Sequence, residues 1–248
     1  MAEPSVAAPP VPGPADRHPA LTLPAAQLAG RLQHTLIGHG IVDRDVRDHV
    51  REAEHFGFDA VMVPPLWVAV AREELRGSDI RLGSIVDFPD GTGTTAGRVG
   101  QVRSLVDEGV DELDCTVPIG LLLSGRHREF TADLAAVVAA ASPVGVKFML
   151  ELPLLSDRLR VHAVHAAVEA GAAFLTPASS GRVGIADPAT IAFLRHEAPA
   201  SVGVKASGGV QTIEQVRSLL VAGADLIGTS FGLSIVNGTR SSGSLYSY

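Results

Sequence analysis

The chain has 248 residues, 46% of them hydrophobic and 19% charged, so it can bury a core and is not generically disordered. A formal net charge of −7 disfavours nucleic acid or an anionic membrane as partner, and no apolar run reaches the roughly 20 residues a bilayer span needs. One cysteine excludes a disulfide framework and a cysteine-rich zinc site, and of 20 basic residues only Lys147 and Lys205 are lysines.

The first 24 residues hold seven prolines among alanines and small polar residues. Residues 1–25 therefore read as a disordered Pro/Ala-rich arm. It lacks the basic start and apolar centre of a secretory signal, which points to a cytoplasmic protein. Beyond it, strand-like apolar runs alternate with amphipathic stretches. Strands are predicted over 33–37, 60–63, 81–86, 112–116, 145–150, 172–175, 202–206 and 226–228. Helices are predicted over 43–56, 95–108, 131–141, 157–170, 188–196 and 212–222, with a further short apolar helix after Gly232. Such alternation implies parallel strands joined by crossover helices. Gly57, Gly109, Gly171 and Gly223 each end a helix just before an apolar run, with 52 residues between Gly57 and Gly109 and again between Gly171 and Gly223. Eight strands without a second core predict a (β/α)8 TIM barrel over 26–238, and 239–248 reads as a flexible Ser/Gly-rich tail.

In a barrel the chemistry lies at the C-terminal ends of the strands. Side-chain alternation puts Glu112, Asp114 and Thr116 on one face, and that polar face predicts an inward set. By the same alternation Lys147, Met149 and Glu151 share a face of strand five, and Gly203 and Lys205 share a face of strand seven. A chain that uses arginine on its surface keeps both lysines inside strands. A lysine there serves either a buried ion pair or chemistry that arginine cannot perform, since arginine neither deprotonates nor forms an imine. Ser207-Gly208-Gly209 and Gly228-Thr229-Ser230-Phe231-Gly232 follow strands seven and eight. Glycine loops at helix starts there predict a phosphate site. His162, His165 and Glu169 share a helix face, but that helix is outer and solvated, so no metal site is expected. No P-loop, nucleophile elbow or dinucleotide fingerprint is present, and no cofactor is expected.

Val202-Gly-Val-Lys-Ala-Ser-Gly-Gly-Val-Gln-Thr resembles the strand-seven signature of deoxyribose-phosphate aldolases. So do His34-Thr-Leu, Asp111-Glu-Leu-Asp114 with Pro118-Ile-Gly120, and Gly228-Thr-Ser230, over about residues 31 to 237. The resemblance implies a metal-independent barrel lyase in which a strand-six lysine forms the Schiff base. It assigns Lys205 to the strand-seven lysine that lowers the nucleophile's pKa, and Asp114 to the proton shuttle. Gly208, Gly209, Gly228 and Ser230 match phosphate contacts. At strand six this chain departs, reading Gly171-Ala-Ala-Phe-Leu-Thr176-Pro177-Ala-Ser-Ser180-Gly181-Arg182. Thr176, or Pro177 if one residue is inserted, stands at the Schiff-base position, neither can form an imine, and the rebuilt Ser180-Gly181-Arg182 loop joins the binding residues. Gln33 replaces an aspartate, and the strand-three loop reads Asp87-Phe-Pro-Asp90-Gly. The chain ends Leu245-Tyr246-Ser-Tyr248, similar to the tail that folds over the site in some members, which makes Tyr248 a proton donor.

Three functions follow as expectations. The first is a divergent carbon–carbon lyase for a small carbonyl or phosphorylated substrate, with Lys205 as Schiff-base or charge-stabilising lysine, Lys147 as a second cation and Asp114 as shuttle. The second is a non-imine cyclisation, isomerisation, dehydration or decarboxylation in specialised biosynthesis. The third is a non-catalytic sugar-phosphate-binding homologue. The resemblance also implies a homodimer.

Overall fold

Short apolar strands, each followed by a helix, leave no unpaired edge once eight of them close on themselves. The computed structural model, which describes residues 18–239, has this closure. Strands β1 Leu32–Thr35, β2 Ala60–Val63, β3 Arg81–Val86, β4 Glu112–Thr116, β5 Gly145–Met149, β6 Phe174–Thr176, β7 Gly203–Ala206 and β8 Leu226–Thr229 pair in parallel in chain order, and β8 returns to β1. The predicted (β/α)8 barrel is the observed fold.

Around it run α1 Asp43–Phe56, α2 Val68–Glu74, α3 Thr95–Asp107, α4 Ile119–Leu123, α5 His127–Ala141, α6 Asp157–Glu169, α7 Pro188–Glu197, α8 Ile213–Val221 and α9 Gly232–Val236. In α1 the buried Val46, Val50 and Ala53 recur at helical spacing, and the Asp45 carboxylate accepts the Val42 amide at 3.0 Å to close the first turn. The four repeat glycines all have positive φ, between 67° and 108°, and each turns a helix end into the next strand. Among the described residues no helix is long and apolar enough to cross a membrane.

Some boundaries differ from expectation. Helices α2 and α4 span seven and five residues, too short to carry a helical period in sequence. Helix α5 starts at His127, because its polar first turn hides the start of the pattern. Strand β6 begins at Phe174 and takes in Thr176, since Gly171–Ala173 are spent on leaving α6. Of the arm expected over 1–25, residues 1–17 lie outside the described residues. The remainder is a correction: Pro19–Leu21 and Ala25–Arg31 form 3-10 turns, Ala20 is buried, and Arg217 donates to the Leu23 carbonyl at 2.9 Å. The tail beyond Thr239 also lies outside the described residues.

Inside the barrel, glycines make room for larger neighbours. A Cβ on Gly83 would lie 2.2 Å from Met62 Sδ, and one on Gly228 would lie 2.8 Å from Lys205 Cε. A Cβ on Gly203 would lie 2.2 Å from the Phe174 ring. Gly203→Ala should therefore destabilise the barrel by about 1–3 kcal/mol through overpacking. Thermal unfolding of the variant measures this, and an unchanged midpoint would mean that Phe174 is free to move aside.

Candidate active site

Strand register decides which charges meet. Asp114 pairs in register with Lys147, and Met149 with both Thr116 and Thr176. The inward face of β4 is as polar as its alternation predicts, and both lysines meet it. Lys147 Nζ lies 2.5 Å from Glu112 Oε1 and 3.6 Å from Asp114 Oδ1, and Lys205 Nζ donates to Asp114 Oδ2 in a very short contact. Glu112 also accepts Gln33 Nε2 at 2.6 Å and pairs with Arg81 at 3.1 Å. Arg81 in turn binds Asp59. Six charges thus alternate in sign through the barrel: Asp59, Arg81, Glu112, Lys147, Asp114 and Lys205. The row starts at Asp59 and the part-exposed Arg81 and ends at the buried Lys205. The Phe174 ring centroid lies 5.7 Å from Lys147 Nζ and adds a cation–π contact.

Burial alone would raise the Asp114 carboxyl, but the Lys205 and Lys147 ammoniums outweigh it and hold the group below the usual carboxylate range. Burial lowers Lys147, and the charge of Lys205 adds to that effect. Asp114 and Lys205 sit together in a cavity at the C-terminal mouth, which also touches Thr35, Ser179, Gly208, Gly209, Gly228 and Ser230.

That cavity unites part of the expected site. Lys147, the register partner of Asp114, does not line the cavity. Thr176 is fully buried beside Met149, its hydroxyl has no hydrogen-bond partner, and it does not line the cavity. Ser180 is buried, and its carbonyl accepts the Val183 and Gly184 amides at 3.1 and 3.2 Å. Gly181 and Arg182 do not line the cavity either. Tyr248 lies outside the described residues. The Gly228 position, expected as a phosphate contact, also leaves space for the Lys205 stem. His162 meets His127 edge-on and His165 pairs with Glu197, so the face they were expected to share is divided between two neighbours. A different group, His34, His49 and Glu52, comes together between β1 and α1. There His34 bonds Glu52 at 3.1 Å, and burial lowers His49 to about 3.

Among the residues at the mouth that were not expected as site residues, two stand out. Phe88 walls the cavity on a loop anchored by Asp87, whose carboxylate takes Arg98 at 2.8 Å and the Gly93 amide at 2.9 Å. Glu151, at the end of β5, is buried with a positive φ of 52°. Its Oε1 accepts the Ser179 amide at 2.8 Å and so holds the β6 loop against the mouth. Burial pushes its carboxyl up to about 7. Strand alternation had already placed Glu151 inward, but the bond to Ser179 crosses 28 residues and leaves no local trace.

A family model described as DeoC/LacD family aldolase matches residues 26–238. The deoxyribose-phosphate aldolase of Streptococcus suis (strain 98HAH33) is 34% identical over 212 residues, which cover 86% of this chain and 96% of that protein. That of Lysinibacillus sphaericus (strain C3-41) is 36% identical over 211 residues, covering 85% and 95%. Among solved structures, the tetrameric deoxyribose phosphate aldolase from Aeropyrum pernix superposes with a TM-score of 0.80 at 28% identity, covering 86% of this chain and 91% of that one.

The raised Glu151 carboxyl links stability to pH. An acid whose folded pKa is raised stabilises the fold fully below its ordinary value of 4.5 and loses that contribution as pH rises toward about 7. Glu151→Gln keeps the acceptor for Ser179 and removes the ionisation. The variant should match the parent at pH 4.5 and exceed it by about 3 kcal/mol at pH 8. Urea unfolding at the two pH values checks this, and an equal difference at both would contradict it.

Proposed function

Because the chain belongs to the DeoC/LacD family of aldolases, we propose that it is a carbon–carbon lyase for a small carbonyl or phosphorylated substrate, with Lys205 as its central group. The observation that carries this reading is the contact of Lys205 with Asp114 on the floor of the mouth cavity. In the imine form of the reaction, Lys205 gives up a proton and its Nζ adds to the substrate carbonyl. Loss of water leaves the imine. The bond between the α and β carbons then breaks as the β-hydroxyl loses its proton, and the electron pair enters the imine as an enamine. Protonation at carbon and hydrolysis release the second carbonyl product and restore the amine. Asp114, in contact with Lys205 Nζ, is the group placed to relay those protons.

Lys147 in this reading is the second cation, acting through Asp114. Thr176 stands where the resemblance puts the usual Schiff-base lysine, so the bond-forming role falls to Lys205 on the adjacent strand. Gly208, Gly209, Gly228 and Ser230 would hold the substrate's polar end, with Ser180, Gly181 and Arg182 shaping the neighbouring loop. Tyr248 would be a proton donor. The Aeropyrum pernix relative is a tetramer, and we extend a homo-oligomeric assembly to this chain.

One observation favours a second reading. Lys205 and Asp114 rest as a closed ion pair, and Asp114 is held in its charged form. A lysine that stays protonated would stabilise an enolate or oxyanion, with Asp114 as base. Incubation with a carbonyl substrate and borohydride, followed by mass spectrometry, separates the two. The imine reading expects a reduced adduct on Lys205 and equal loss of activity in Lys205→Arg and Lys205→Ala. The charge reading expects no adduct, a loss of about 10²–10³-fold in Lys205→Ala, and partial activity in Lys205→Arg. If neither variant changes turnover, Lys205 is not the central group.

A further inference from the structure

The segment after β3 is held more firmly than a surface loop requires. Asp87, the first residue past the strand, has a φ of 51°, a backbone conformation uncommon outside glycine. Each of its polar groups is engaged. Its amide donates to Gln101 Oε1 at 3.0 Å, and its carbonyl accepts the Gly91 amide at 2.9 Å. Its carboxylate accepts Arg98 Nη1 at 2.8 Å and the Gly93 amide at 2.9 Å. Gly91, also at positive φ, comes so close to the end of β4 that a Cβ there would stand 2.4 Å from the Val117 carbonyl oxygen. The loop is thus tied to α3 on one side and pressed against β4 on the other.

The tie runs on to a buried arginine. Arg98, on α3, is 1% exposed. Its Nε lies 3.2 Å from Asp133 Oδ2 on α5, and its Nη2 lies 3.3 Å from Cys115 Sγ on β4. Asp133 is itself buried and accepts Thr95 Oγ1 at 2.6 Å. Burial pushes the Cys115 thiol up to about 12, so it stays neutral and the two carboxylates alone answer the guanidinium. Cys115 alternates with the inward Asp114 and Thr116, so this triad stands outside the barrel and apart from the inner row. Enclosing such a triad gains little over apolar side chains of the same volume. What it supplies is direction, because a guanidinium fork fixes its partners at set angles. Phe88 follows Asp87 directly and lines the cavity with Lys205 and Asp114.

We propose that Asp87 and Arg98 are positioning residues: through them helices α3 and α5 fix the Phe88 ring as the wall that turns the substrate carbonyl toward Lys205. The proposal rests on the lyase reading for the identity of the substrate. Neither charge lines the cavity, so both act through Phe88. A reacting group displaced by about 1 Å can lose about a hundredfold in rate, which is the effect such a wall prevents. Asp87 is the residue to vary. Without its carboxylate Arg98 still has Asp133, whereas loss of Arg98 would strand two carboxylates.

Two variants of the full chain separate side chain from backbone. Asp87→Gly accepts the positive φ and removes the carboxylate, and Asp87→Asn keeps an oxygen for Arg98 and Gly93. Hydrogen exchange over residues 87–93, read by mass spectrometry, should lose at least about tenfold in protection in Asp87→Gly and stay near the parent in Asp87→Asn. For cleavage of a phosphate-ended 3-hydroxyaldehyde, kcat/KM should fall about tenfold to a hundredfold in Asp87→Gly and recover in Asp87→Asn. Phe88→Ala should also lower it, and adding Asp87→Gly to Phe88→Ala should cost less than about twofold more. Parent-like kcat/KM in Asp87→Gly, or full additivity with Phe88→Ala, overturns the proposal. A parent chain that cleaves neither this aldehyde nor 3-hydroxybutanal removes the lyase reading instead. Unchanged exchange in Asp87→Gly overturns the tether whatever the turnover.

Discussion

The barrel is organised around a buried row of alternating charge. Lys147 cannot be enclosed without Glu112 and Asp114, nor Asp114 without its two lysines, because an unpaired charge in that interior costs several kcal/mol. The pairing demands a closed barrel. Glu112 and Asp114 come from β4, Lys147 from β5 and Lys205 from β7 on the far wall. Lys205 reaches Asp114 across 91 residues, and it does so because Gly228 leaves its stem a path. Strand order, register and the inner glycines are thus parts of one electrostatic solution. The outer helices add the apolar shell that keeps water from the row.

Much of this was legible because it is periodic. Alternation put Glu112, Asp114 and Thr116 on one inward face, and both lysines fell inside strand patterns. The four glycines at helix ends marked the βα repeat, and all four take the conformation that role requires. What stayed hidden is short or distant. Helices α2 and α4 are too brief to show a period. The bond from Glu151 to Ser179 depends on how two loops meet, and the turns at Pro19–Leu21 depend on packing that prolines do not announce. The partner of each lysine was likewise beyond the sequence. Parity shows which way a side chain faces and not what stands across the barrel.

The glycine loops after β7 and β8 also take part in the packing of the fold. Two glycine-rich turns after β7 and β8 have the composition of a phosphate cradle, and that composition was the basis for expecting one. Just beyond the first of them, the Gln215 side chain takes the Gln211 and Thr212 amides and Thr212 takes the Gln215 amide, which closes the start of α8. The glycines then have a second use. They let Gly208 approach the Gly184 carbonyl and pass its own carbonyl to Ala186, which brings the β6 loop over the mouth. Residues expected to form a ligand site thus also make loop-to-loop contacts in the fold.

The row also constrains the chemistry of its last member. Each inner cation is held between two partners, so Lys147 and Arg81 have no capacity for a substrate. Lys205 is different: it ends the row, touches one carboxylate and faces the cavity. In the proposed reaction a substrate carbonyl arriving there would meet the Lys205–Asp114 ion pair. If the proton passes to Asp114, the amine becomes a nucleophile, and Lys147 at 3.6 Å opposes that step by favouring the charged carboxylate. If the proton stays, the ammonium polarises the carbonyl and Asp114 remains a base. In that reading the Lys147 charge would bias the choice through Asp114, its register partner, without itself lining the cavity.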